Sequence, residues 1–141
     1  MPDSDPSVRP EGLTDILSHF GPKETMDRLE AEIRNKGMKV FARIDHAAGA
    51  AEVGLTLRPT ELIVFGNARG GTPLMQSAQT AGIDLPLKAL VWQDDAAKTW
   101  ISYNQPEWIA QRHGVANAEE TVTKMADLLN AISRTAGHSE P

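Results

Sequence analysis

Two periodicities alternate along this chain. Met26, Leu29 and Ile33 recur at helical spacing among the charged residues Lys23, Glu24, Asp27, Arg28, Glu30, Glu32 and Arg34. That pattern predicts an amphipathic helix, opened by Gly21-Pro22 and ended by Gly37. Met38, Val40, Ala42 and Ile44 then alternate with Lys39, Phe41 and Arg43, the two-residue repeat of a half-buried strand. A weaker strand over residues 12–18 precedes the helix, with Gly12 and Asp15 counting against it. Asp45 is placed to cap a short alanine-rich helical turn over residues 46–53. Residues 55–59 are irregular, because Pro59 blocks a central strand there.

The second half begins with an apolar strand over residues 61–65 that runs into Gly66-Asn67-Ala68-Arg69-Gly70-Gly71. Thr72 then reads as an N-cap and Pro73 as the first position of a helix reaching about residue 80, with Gly82 as its breaker. Strands over residues 87–93 and 99–103 follow, joined by polar residues 94–98 at hairpin-loop length. Pro106 opens a short helix carrying Trp108 and Ile109, and Gly114 ends it. The last helix is the clearest: Asn117 is its expected cap, Glu120 the capping-box partner, and Val122, Met125, Ala126, Leu129 and Ile132 its apolar stripe.

The order β-α-β-(α)-β-α-β-β-α-α lacks the regular alternation of a doubly wound sheet and contains a late antiparallel hairpin. It predicts an α+β two-layer sandwich, with a mixed or largely antiparallel sheet covered by helices. One domain is expected at residues 12–134. The polar, proline-rich residues 1–11 read as a disordered lead-in, and residues 135–141 as a disordered tail.

Composition narrows the class. With 141 residues, 40% hydrophobic and 23% charged, the chain has enough apolar material for one core. A net charge of -5 and the lack of a basic run interleaved with aromatics argue against a nucleic-acid partner. The absence of cysteine excludes disulfides, thiolate metal sites and cysteine nucleophiles. No segment has the length to span a membrane and no secretory signal is visible, so a cytoplasmic location is expected.

The glycine turn is the strongest chemical signal. Asn67, Gly70, Gly71 and Thr72 are candidates to cradle a small anionic or polar ligand with backbone N–H groups, while Arg69, Lys88 and His113 supply positive charge. The lysine of a phosphate loop is missing, which counts against a nucleotide. The plain alternative is a tight turn that needs glycine for its backbone. A catalytic alternative uses His46 as general base oriented by Asp45, with Tyr103 or Lys88 as acid, provided that these groups converge. Asp45 is more simply a helix cap, and His113 is favoured by the dipole at a helix C-terminus. Lys88 and Tyr103 belong to neighbouring hairpin strands and are candidates to share a face. No metal-binding spacing and no serine elbow is present, and no metal or cofactor is expected.

A series of blocks carries a family resemblance: Val40-Phe41-Ala42-Arg43-Ile44-Asp45-His46-Ala47-Ala48-Gly49-Ala50, Arg58-Pro59-Thr60-Glu61-Leu62, Phe65-Gly66-Asn67, Gly71-Thr72-Pro73-Leu74-Met75, Leu85-Pro86-Leu87-Lys88 and Tyr103-Asn104. In that order, and over about residues 14–115, they closely resemble the bacterial family catalogued as domain of unknown function 302, with the TT1751-like fold. The resemblance implies a compact α+β sandwich that commonly assembles as a homodimer, and it implies no established activity. Ala68 stands where many members carry proline, and the last helix lies outside the strongest match. Three functional readings stand side by side: a small-ligand binding domain, a homodimeric interaction module, and an enzyme.

Overall fold

The computed structural model describes residues 10–138. Its first half contains β1 (Leu13–Ser18), α1 (Pro22–Asn35), β2 (Lys39–Asp45), α2 (His46–Glu52) and β3 (Thr60–Gly66). Then come α3 (Ala68–Ser77), a 3-10 turn (Gln79–Ile83), β4 (Leu87–Gln93), β5 (Thr99–Asn104), α4 (Pro106–His113) and α5 (Glu119–Gly137). The strands form one sheet in the order β1-β5-β4-β3-β2, and every neighbouring pair is antiparallel. The first strand therefore lies beside the last, closing one edge of the sheet with the chain's two halves.

Local chemistry accounts for the elements. Gly21 caps α1 in an extended conformation and Pro22 takes the first turn, where its missing N–H leaves no bond unmade. Asp45 accepts the Ala48 N–H at 2.9 Å and so starts α2. Gly114 ends α4 at φ 68°, a left-handed conformation that suits glycine.

The core lies between one sheet face and two long helices. Ile16, Ile63, Phe65, Leu87, Ala89, Val91 and Ile101 face Met26, Leu29 and Ile33 of α1 and Val122, Met125, Leu129 and Ile132 of α5. Fully burying each large apolar side chain contributes roughly 1.5–3 kcal/mol, so the two helical stripes read from the sequence carry much of the stability. The opposite face presents Leu17, Ile44, Leu62, Leu90 and Trp92, and a hollow on it is lined by strand residues alone.

Four expectations change in the structure. Helix α3 starts at Ala68 rather than Pro73, so Thr72 is not its cap and Pro73 lies inside it. Ala118 rather than Asn117 precedes α5; Asn117 sits in the connecting turn at φ 60°, which asparagine tolerates, and no side chain caps the helix. Residues 135–137 continue α5 instead of forming a tail, because Ala136 and Gly137 are buried and Gly137 packs against Leu17 and Ser18 of β1. Residues 1–9 of the expected lead-in and 139–141 of the expected tail lie outside the described residues. Finally, Lys88 and Tyr103 face opposite sides of the sheet: Leu90 pairs with Ser102, which puts Lys88 in phase with Asn104 and Tyr103 in phase with buried Ala89.

Candidate functional site

Gly66 ends β3 at φ 149°, a conformation open to glycine, and turns the chain into α3. Asn67 then caps the helix. Its Oδ1 accepts the Gly70 N–H at 2.7 Å and its carbonyl accepts the Gly71 N–H at 3.2 Å. The cap explains why the helix begins five residues before Pro73: asparagine is among the strongest N-caps, and it outweighs the weak helix propensity of two glycines. It also changes the chemistry. The Gly70 and Gly71 N–H groups are engaged inside the helix and do not form an open anion cradle.

What the start of α3 does form is one wall of an apolar cleft with a volume of about 360 Å³. Met38 just before β2, Phe41 of β2, Met75 of α3, the Leu85-Pro86-Leu87 run, and Met125 and Leu128 of α5 complete it. Asn67 and Thr72 are the polar side chains in its wall. Neither Gly70 nor Gly71 has a left-handed backbone. A Cβ at Gly70 would meet Asn67 Oδ1 at 3.5 Å and Met125 Cε at 3.7 Å. At Gly71 it would meet Leu85 Cδ1 and Met75 Cε, both at 3.7 Å. Those are ordinary contacts, so alanine fits at both positions, yet each glycine costs a helix interior roughly 0.5–1 kcal/mol relative to alanine. Their effect is to keep the cleft wall open.

The charged candidates lie elsewhere. Arg69 is exposed and outside the cleft lining. Lys88 projects to the far face of the sheet, where its Nζ donates to the carbonyls of Asp84 at 3.0 Å and Pro86 at 3.1 Å. Burial there holds its pKa below the ordinary lysine value, partly offset by the Asp84 charge.

Asp45, His46 and Tyr103 are not brought together either. Asp45 spends a carboxylate oxygen on its cap, and His46 is exposed at the start of α2. Tyr103 is buried on β5, with β4 and β3 between it and β2, a separation of about 14 Å at the usual strand spacing. Burial also raises the Tyr103 phenol above its ordinary pKa.

His113 finds partners that sequence reasoning missed. Its side chain is only 8% exposed, and its Nε2 lies 2.6 Å from Asp84 Oδ2. Nδ1 lies 2.9 Å from Thr80 Oγ1. Arg112 Nη1 donates to both Asp84 oxygens, at 2.8 and 3.1 Å. Burial alone would raise the Asp84 carboxyl, but the His113 hydrogen bond and the Arg112 charge outweigh it, and the net pKa is lowered. Thr80 lies in the 3-10 turn and Asp84 directly follows it, about thirty residues before His113, and no motif spacing announces their meeting. Of the methionines of the cleft, Met38 and Met125 were legible as apolar positions of a strand and a helix, and Met75 carried no periodic signal. Among the described residues, no group of three or more His, Asp or Glu is placed to hold a metal ion.

Comparisons with known proteins place this geometry. Chains named fluoride-specific ion channel FluC 1 from Brucella suis biovar 1 and from Brucella abortus biovar 1 are each 46% identical over 118 residues. The match takes in 84% of this chain but 46% and 44% of those proteins, so the chain spans a little under half the length of the curated relatives it matches. Among the described residues, no helix is long and apolar enough to cross a membrane. The crystal structure of an uncharacterized conserved DUF302 protein from Bacillus stearothermophilus shares the fold, with a TM-score of 0.80 at 20% identity, covering 90% of this chain and 99% of that one. The model of the family described as domain of unknown function DUF302 matches residues 15–132, and this chain belongs to that family.

Proposed function

We propose that this protein binds a small, mainly apolar molecule with a polar end in the cleft between α3, β2 and α5. One observation carries the reading: two helix glycines, required neither by backbone conformation nor by packing, hold the wall open at a cost in helix stability. The lining favours an apolar ligand over the anion expected from the glycine turn, because the N–H groups are engaged and the cations lie elsewhere. Methionine side chains suit such a site, being flexible enough to reshape around a guest. The volume of about 360 Å³ falls within the range usual for small-molecule sites. Asn67 and Thr72 supply polar groups for the ligand's end.

Decanol is a suitable probe. At about a hundred times its Kd it should raise the melting temperature by about 10 °C. Gly71→Leu, which fills the cleft without a backbone penalty, should remove that shift while leaving the free protein at least as stable. An equal shift in wild type and Gly71→Leu, or none in wild type, would reject the reading.

A second reading, self-association as a homodimer, is favoured by the sheet face away from the core. There Leu17 is 38% and Ile44 43% exposed, beside Leu62, Leu90 and Trp92. Apolar surface of that kind suits an interface. A native mass spectrum of the same sample reads this directly, a monomer mass at micromolar concentration counting against it.

A further inference from the structure

We infer that Thr80, His113 and Asp84 form a nucleophile–base–carboxylate relay, competent to accept an acyl group from an activated ester onto the Thr80 hydroxyl. The assignment rests on the order of three side chains in space: Thr80 Oγ1 at 2.9 Å from His113 Nδ1, and His113 Nε2 at 2.6 Å from Asp84 Oδ2. A nucleophile within reach of a base that a third group orients is the geometric signature of activated hydroxyl chemistry.

Charge sets the direction of the relay. An ionised carboxylate only accepts hydrogen bonds, so the imidazole nitrogen facing Asp84 carries the proton and donates it. A neutral imidazole then has its lone pair on Nδ1, and the Thr80 hydroxyl donates to it. The hydroxyl proton therefore points at the base. Burial reinforces the arrangement: His113 is almost fully enclosed, whereas Thr80 is exposed and open to a reagent. Arg112 grips both oxygens of Asp84, which fixes the carboxylate that would stabilise the imidazolium after proton transfer. The ring presents Nε2 rather than Nδ1 to the carboxylate, the reverse of the serine-protease order. Either nitrogen serves as base once the other is held as N–H.

The reaction balances without a further co-reactant beyond water. Thr80 Oγ1 attacks the ester carbonyl carbon as its proton passes to His113 Nδ1. Collapse of the tetrahedral species breaks the bond to the alkoxide, which takes that proton and leaves as the alcohol. Water, deprotonated by the same nitrogen, then releases the acid and restores the Thr80 hydroxyl. No step draws on the α3 cleft, so this inference and the ligand reading stand or fall separately.

A fluorophosphonate probe tests it, because the Oγ1–P bond forms as P–F breaks, fluoride leaves and the proton goes to His113. Peptide mass spectrometry should find one adduct per wild-type chain, on Thr80. The adduct should vanish in Thr80→Val and form about 100-fold more slowly in His113→Gln. A second measurement guards against misfolding of the histidine variant. The chain has no cysteine, so Thr80→Cys introduces a sole thiol. Its alkylation by iodoacetamide should titrate well below the ordinary thiol value of about 8.5, with exposed Gln76→Cys as the reference. Absence of a Thr80 adduct in wild type, or a thiol indistinguishable from the reference, overturns the inference and leaves the cluster as a structural tie between the 3-10 turn and α4.

Discussion

The two ends of α3 differ in how loudly the sequence announces them and in what they can do. At the N-terminal end, Gly66, Gly70 and Gly71 advertise an anion-binding turn, yet Asn67 consumes the glycine N–H groups and the surroundings are apolar. Beyond the C-terminal end, the 3-10 turn carries no motif, yet Thr80, Asp84, Arg112 and His113 converge within hydrogen-bond distance. The lesson lies in satisfaction of polar groups. A glycine-rich turn binds an anion only if its donors are unspent, and a lone histidine becomes chemically interesting only when both ring nitrogens have partners of defined sense.

Three substitutions probe that contrast, beginning with the largest effect. Asp84→Asn removes the charge that holds His113 and Arg112 and should cost about 1.5–3 kcal/mol at neutral pH, read from urea denaturation. The pH dependence follows from the direction of the shift. The Asp84 carboxyl is lowered from 3.8 in the folded protein, so its contribution is complete above that value and is lost as pH falls through the folded pKa. The stability gap between wild type and Asp84→Asn should therefore narrow in strong acid. A gap independent of pH would mean that the carboxylate charge is not what holds the cluster.

Asn67→Ala tests the other end and should cost about 1 kcal/mol, the usual value of a lost N-cap. A change near zero would return the start of α3 to Pro73 and reopen the anion cradle. The smallest effect has the opposite sign. Gly70→Ala should stabilise the protein by about 0.5–1 kcal/mol, seen as a higher urea midpoint. Destabilisation would show that the glycine serves the backbone after all, and the case for an open wall would fall with it.

Much of the fold was legible in the residues. The stripes Met26-Leu29-Ile33 and Val122-Met125-Leu129-Ile132 are buried as their spacing predicts, and Asp45 caps α2 as its position before an alanine run suggests. Boundaries were harder where a local cap signal gave way to the tertiary path of the chain. Thr72-Pro73 reads as a helix start, but Asn67 caps the helix earlier because its side chain reaches the Gly70 N–H. Asn117 looked like a cap but adopts a left-handed turn instead, since the α4–α5 connection needs one there. The candidate site was legible only in part. The position of the cleft was marked by glycines, but its apolar character depends on Met38, Met75 and Met125, which lie just before β2, in α3 and in α5, far apart in the chain.

By itself, the sequence determined the class of architecture, the two helices that cover the sheet, the lack of thiol chemistry, and family membership. Local propensity, periodicity and composition act over a few residues or over the whole chain, and both are read without coordinates. Only the tertiary structure decided the all-antiparallel strand order, the opposite facing of Lys88 and Tyr103, the spending of the glycine N–H groups, and the meeting of Thr80 and Asp84 with His113. Those features depend on register and on contacts between residues about thirty apart, and a single-residue slip in register would invert every facing.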